Sequence, residues 1–116
     1  MITYTVCIAE RAVESIESYR RFIALDRMAP LSAQRWVDKV FDEIGGLASF
    51  PKRCPLAPEN PKTAYEVRMR VVGKYLILFH VDDARQTVWV LGFRHGHQRP
   101  RPGELPKHPP GVTPDS

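Results

Sequence analysis

Residues 65–95, YEVRMRVVGKYLILFHVDDARQTVWVLGFRH, decide the fold. With Ala64 in front, the first part puts Tyr65, Val67, Met69 and Val71 on one face and Glu66, Arg68 and Arg70 on the other. That two-residue period predicts a strand. KYLILFHV (74–81) is apolar on both faces for most of its length, as a central strand is. Within it His80 alternates with Leu76 and Leu78, opposite Tyr75, Ile77 and Phe79. QTVWVLGFRH (86–95) reads similarly, with Trp89, Leu91 and Phe93 in alternation. The GK pair at 73–74 and the five residues 82–86 are short enough to join antiparallel neighbours as hairpins.

Upstream, ITYTVCI (2–8) also alternates, with Ile2, Tyr4, Val6 and Ile8 on one face. Its place in the sheet does not follow from spacing. From about Glu10 the period becomes helical, with Val13, Ile16, Tyr19 and Ile23 on one side. Glu14, Glu17, Arg20 and Arg21 then form a solvated face of i, i+3 and i, i+4 pairs. Pro30 ends this helix, because the residue before a proline is pushed out of the helical region. A second helix is expected from Ser32, a good N-cap, with the stripe Ala33, Trp36, Val37, Val40, Phe41, Ile44 and Leu47. SFPKRCPLAPENPK (49–62) holds four prolines in fourteen residues and reads as a rigid, extended loop. The expected fold is α+β, ordered β-α-α-β-β-β, with a helical hairpin on one face of a small, mainly antiparallel sheet. Residues 1–99 form the domain. Residues 100–116, with six prolines in seventeen and almost nothing apolar, are expected to be a flexible or extended tail.

The totals agree with one small domain: 116 residues, 43% hydrophobic and 26% charged. No apolar run approaches the length of a membrane span, and the N-terminus lacks the pattern of a secretion signal, so the expected location is the cytoplasm, with no membrane partner. Cys7 and Cys54 are then expected to stay reduced. The cysteine and histidine spacing (7, 54, 80, 95, 97, 108) fits no zinc pattern, and no metal or other cofactor is implied. The net charge of +4 suits a nucleic-acid or acidic-protein partner, and the basic residues dominate 94–107.

Three blocks, YEVRMRVVGKYLILFHVDD, VWVLGFRHGHQRP and FPKRCPLAPE, together with the element order, resemble the RelE/ParE superfamily of toxins from bacterial type II toxin–antitoxin modules, often labelled plasmid stabilisation proteins. The resemblance spans roughly residues 2–100 and is most specific between Arg68 and Pro100. It implies a cognate acidic antitoxin that covers the toxin surface. It also implies one of two activities: RelE-like toxins cleave mRNA in the ribosome, whereas ParE-like toxins bind DNA gyrase and block it without cutting RNA.

The residues bear on that choice. Arg68 and Arg70, with Lys74 at the turn, match the arginines that RelE-like toxins aim at the charged phosphate formed during cleavage. Strand arginines equally suit a solvated face or one that meets an acidic antitoxin. His95 and His97 are the residues of this block that exchange protons near neutral pH, and in the RelE-like reading one serves as base or acid. RNA-cleaving relatives commonly carry a tyrosine near the chain end, and this sequence has none after Tyr75. The balance favours a ParE-like inhibitor that acts by binding, through Arg68, Arg70, Lys74, Arg94, His95 and Arg99. The alternative is a metal-independent endoribonuclease in which Arg68 and Arg70 hold phosphate and His95 or His97 moves protons. A third reading is a scaffold without toxicity that binds a partner. His80 reads as a packed, hydrogen-bonded residue, Glu66 as an ion-pair partner of Arg68 or Arg70, and Trp36, Phe41 and Trp89 as core.

Overall fold

The long apolar run of residues 75–82 becomes a strand with neighbours on both sides. In the computed structural model, which describes residues 3–108, the order is β1 (Thr5–Ile8), α1 (Glu10–Arg21), α2 (Pro30–Gly45), β2 (Arg68–Val72), β3 (Tyr75–Asp82) and β4 (Thr87–His95). Residue 2 of the expected first strand, and 109–116 of the expected tail, lie outside the described residues. The four strands form one sheet in the order β1-β4-β3-β2. β2, β3 and β4 pair antiparallel, and β1 is added parallel to β4, so the sheet is mixed. The fold is α+β, with both helices packed on one face. Gly73, at φ +59°, makes the tight β2–β3 turn, a backbone region that disfavours side chains with a Cβ.

Between sheet and helices lies the larger core, built from Ala12 and Ile16 of α1, Val40 and Ile44 of α2, and Ile77, Phe79, Val88, Val90 and Phe93 of the sheet. Phe79 is completely buried at its centre, and such burial contributes about 2–3 kcal/mol. The other face is not open either. Ala57, Val67, Leu78, Leu91 and Leu105 form a second core there, flanked by Tyr65, Met69, Leu76 and Trp89. The proline-rich segment 49–62 reaches this face by crossing the edge of β2. It contains two single turns of 3₁₀ helix (Pro51–Arg53 and Asn60–Lys62), and Leu56 bridges to Arg68. From the C-terminal side, Pro102–Glu104 forms another such turn and seats Leu105, 8% exposed, over the sheet. The packed body therefore continues past residue 99.

Several local expectations are corrected. Pro30 opens α2 rather than closing α1, standing at the first helical turn where its missing N–H costs nothing, with Ala29 as N-cap in place of Ser32. α1 runs out through a wide π-helical turn, Phe22–Asp26, and Met28 at φ 51° reverses the chain. The alternation assigned to Trp89, Leu91 and Phe93 breaks at a bulge: Leu78 pairs with Gly92 but Phe79 with Val90. Leu91 is the extra residue, and Phe93 consequently joins the helix-side core while Leu91 joins the opposite one. β2 begins at Arg68 rather than Ala64, because Val67 is already bonded to the loop: its N–H donates to Asn60 Oδ1 and its carbonyl accepts from Ala57. Val13 and Phe41, expected in the helix stripes, are 42% and 41% exposed.

Candidate functional site

The register of the sheet separates the residues that the sequence grouped. Arg68 pairs with Phe79 and Arg70 with Ile77, so both arginines point to the helix side. Neither is a free cation. Arg68 Nε donates to Glu66 Oε1 at 2.8 Å, and its Nη1 donates to the carbonyls of Lys52 (3.0 Å) and Cys54 (2.6 Å). It thereby ties the proline-rich segment to the edge strand. Arg70 Nε donates to Glu43 Oε2 at 2.6 Å and ties α2 to the same strand. An incoming phosphate would compete with a carboxylate already held by each guanidinium.

Arg94 faces the other way, opposite Leu76 on the second-core face. It is 9% exposed and forms a two-pronged pair with Glu59, which is 1% exposed. Its Nη1 also donates to the carbonyls of His95 and Gln98, so it shapes the RHGHQ turn from beneath. Arg99 is exposed and close to this turn.

His95 returns to the helix side, opposite Tyr75. Arg70 and His95 therefore share a face but are two strands, or about 10 Å, apart laterally. The aromatic side chains of Tyr75 and Phe93, stacked with ring centroids 5.3 Å apart, belong to that intervening surface. His95 sets its ring edge-on to Tyr75 (5.2 Å) and stacks on His97 (5.0 Å, 25° between planes). The His97 backbone N–H donates to His95 Nδ1 at 3.1 Å, which ties the second histidine to the first. The His95 backbone N–H donates to the Tyr19 hydroxyl, which in turn donates to Gln98 Oε1. Burial pushes the Tyr75 hydroxyl above the ordinary phenol range, and neighbouring Tyr19 adds to the shift. The structure thus brings Lys74 and His95 together, leaves His97 exposed beside them, and places Arg68, Arg70 and Arg94 in separate ion pairs.

Lys74 and His95 line a cleft of about 720 Å³ between the helical hairpin and the β2–β3 turn, with Phe22, Ile23, Arg27 and Trp36 on its other walls. Two cations, Arg27 and Lys74, stand in that lining and no carboxylate does, among the described residues. Phe22 of that wall is 45% exposed, and just outside the cleft the hairpin tip exposes Leu25 (69%), Met28 (87%) and Leu31 (75%). The Arg27 guanidinium lies 5.4 Å over the Phe22 ring. Arg27 and the tip lie outside the residues that the sequence pattern singles out, and Trp36 reads there as core only. The signal was present in FIALDRMAPL (22–31), which is apolar on too many sides for one buried stripe.

The remaining singled-out residues have structural partners. His80 is half-buried, with Nδ1 2.7 Å from the Glu66 carbonyl and its ring edge-on to Tyr65. Glu66 is the partner of Arg68. Trp89 packs in the second core, with its indole N–H unpartnered among the described residues. Glu17 pairs with Arg20 and Arg21 on the exposed side of α1. Among the described residues there is no cluster of three side chains able to hold a metal ion, and no helix is long and apolar enough to cross a membrane.

Residues 6–100 match the family model described as the ParE toxin of the type II toxin–antitoxin system parDE. Among solved structures, the chain is similar to a chromosomal ParDE toxin–antitoxin system from P. aeruginosa, with a TM-score of 0.61 at 13% identity. That match covers 82% of this chain and 98% of the other. It is also similar to the toxin–antitoxin complex RelBE2 from Mycobacterium tuberculosis, with a TM-score of 0.50 at 23% identity, covering 81% of this chain and 99% of that one. At these identities the structural matches speak for the fold. No curated protein matches the sequence.

Proposed function

This chain belongs to the ParE toxin family of type II toxin–antitoxin systems, and we propose that it acts as a toxin by binding rather than by cutting RNA. The observation that carries this reading is the pairing of its strand arginines. Arg68 and Arg70, the groups a ribonuclease would aim at phosphate, are already committed to Glu66 and Glu43, and Arg94 to Glu59. Stabilising a cleavage transition state needs donors that are preorganised and unspent. What the fold leaves free is a contact surface: Lys74, His95 and Arg27 around an aromatic cleft, with an apolar ridge at the hairpin tip.

DNA gyrase is the target this reading expects, from the family. A cognate acidic antitoxin is the expected neutralising partner. A cleft whose charged groups are all cationic attracts an acidic segment, and the exposed apolar ridge offers it area to bury. Arg99 adds to the basic rim, while Arg68, Arg70 and Arg94 support the surface from within.

The deciding experiment adds the purified chain to gyrase supercoiling and, separately, to a translation extract with a defined mRNA read by primer extension. Block of supercoiling with an uncut message is the expected result. Discrete cuts in the message, with supercoiling unaffected, would replace this reading with the endoribonuclease. If both assays stay silent and a small acidic partner still binds, the chain is a binding scaffold without toxicity.

A further inference from the structure

Toward the N-terminal end of α1, along the same side of the helix, a second cavity of about 320 Å³ opens between that helix, β4 and the returning segment 98–105. Its polar lining is unusual for so small a space: four guanidiniums (Arg11, Arg94, Arg99 and Arg101) and two carboxylates (Glu59 and Glu104). Glu59 neutralises Arg94, and Glu104 lies 3.3 Å from Arg101. Arg11 donates to the backbone carbonyl of Glu104, which satisfies an N–H but leaves the charge uncompensated. Arg99 forms no ion pair or side-chain hydrogen bond among the described residues. Two positive charges are therefore in excess around one opening, and the hydroxyl of Ser15 stands beside them on the helix wall. Gly92 forms part of the floor, where a Cβ would be in ordinary contact with Leu105 at 3.5 Å and Leu78 at 3.7 Å.

We propose that this cavity binds a small phosphate dianion, either free or as a phosphomonoester. Guanidiniums present forked N–H donors matched to phosphate oxygens, and a concave site excludes part of the competing water. The volume is at the lower end of ligand pockets, which fits a phosphate or a compact phosphorylated molecule better than a polymer chain. The cavity shares Ser18, Tyr19 and Gln98 with the hairpin cleft, so occupancy bears on the wall of the proposed contact surface. Arg11 joins α1 to the 102–105 segment, and an anion bridging Arg11 and Arg99 would tighten that joint.

The test is isothermal titration of the full chain with inorganic phosphate and with glycerol 3-phosphate at low salt, against sodium chloride of matched ionic strength. Saturable one-site binding of either phosphate, absent with chloride, is expected, and the stronger of the two identifies the free or esterified source. Arg99→Ala and Arg11→Gln should each weaken binding about tenfold or more; the glutamine keeps a donor for the Glu104 carbonyl while removing the charge. Arg27→Ala, outside the cavity, should leave it within about twofold. Absence of saturable binding, or binding that neither cavity variant weakens, overturns the proposal. Neither result depends on gyrase inhibition or mRNA cleavage, so this site and the proposed toxin activity fail separately.

Discussion

Arg94 and Glu59, 35 residues apart, meet on the side of the sheet away from the helices, with Nε to Oε2 at 2.8 Å and Nη2 to Oε1 at 3.2 Å. The pair fastens the proline-rich segment to β4 and, through the Arg94 contacts with the His95 and Gln98 carbonyls, holds the histidine turn in place. Removing one partner leaves a charge buried without compensation. Glu59→Ala is therefore expected to cost about 3–5 kcal/mol in urea unfolding. The double change Glu59→Leu with Arg94→Met should recover most of that loss. A single substitution as stable as the parent would mean that water reaches the pair.

Leu105 closes the second core from the C-terminal side and is 8% exposed. Leu105→Ala should lower unfolding stability by about 2–3 kcal/mol, the lower part of the range for such truncations, because the site lies at the margin of the protein. Hydrogen exchange in β4 should speed up opposite it. Unchanged stability would place residues 100–108 off the sheet in solution.

Asp83 accepts from Lys52 and from the Tyr4 hydroxyl, and these two hydrogen bonds, Lys52 first, hold its carboxyl below the usual range. A depressed folded value gives stability that is present above the unfolded value of 3.8 and is lost as pH falls through the lower folded one. Asp83→Asn should consequently reduce Tm at neutral pH, with the difference from the parent shrinking below about pH 4. Parallel melting curves down to pH 2 with a constant gap would refute the linkage.

Arg27 and the hairpin tip are exposed and unburdened by core packing. Arg27→Glu and Leu25→Asp should each weaken the proposed gyrase inhibition about tenfold with little change in Tm, since surface changes away from special contacts usually stay within about 0.5 kcal/mol. The double variant His95→Ala with His97→Ala should weaken inhibition by much less, because contact rather than proton transfer is proposed. A complete loss of inhibition in that variant, with folding intact, would make the histidine turn, rather than the hairpin tip, the centre of the contact surface.

The strands of residues 65–95 were legible because alternation and short turns are local properties. The α+β class and the strand-helix-helix-strand-strand-strand order followed from the same local signals. The boundaries near Pro30 and Val67 were not, since each depends on which partner completes the backbone hydrogen bonds. The candidate site was legible in residue type and illegible in grouping. Arg68, Arg70, Arg94 and His95 read as one basic surface, but strand geometry sends Arg94 to the opposite face and ion pairing occupies three of the four.

By itself, the sequence determined the α+β class and a basic end, because periodicity, turn residues and charge are written along the chain. Only the tertiary structure decided which of those charges are spent. Glu43 and Glu59 reach Arg70 and Arg94 through α2 and the proline-rich segment, and each such pairing turns an apparent phosphate grip into a structural tie, as the local Glu66–Arg68 pair does just before and within the edge strand. The bulge at Leu91 is likewise invisible to a two-residue period. It is what lets Phe93 enter the helix-side core and brings His95 to the cleft beside Lys74.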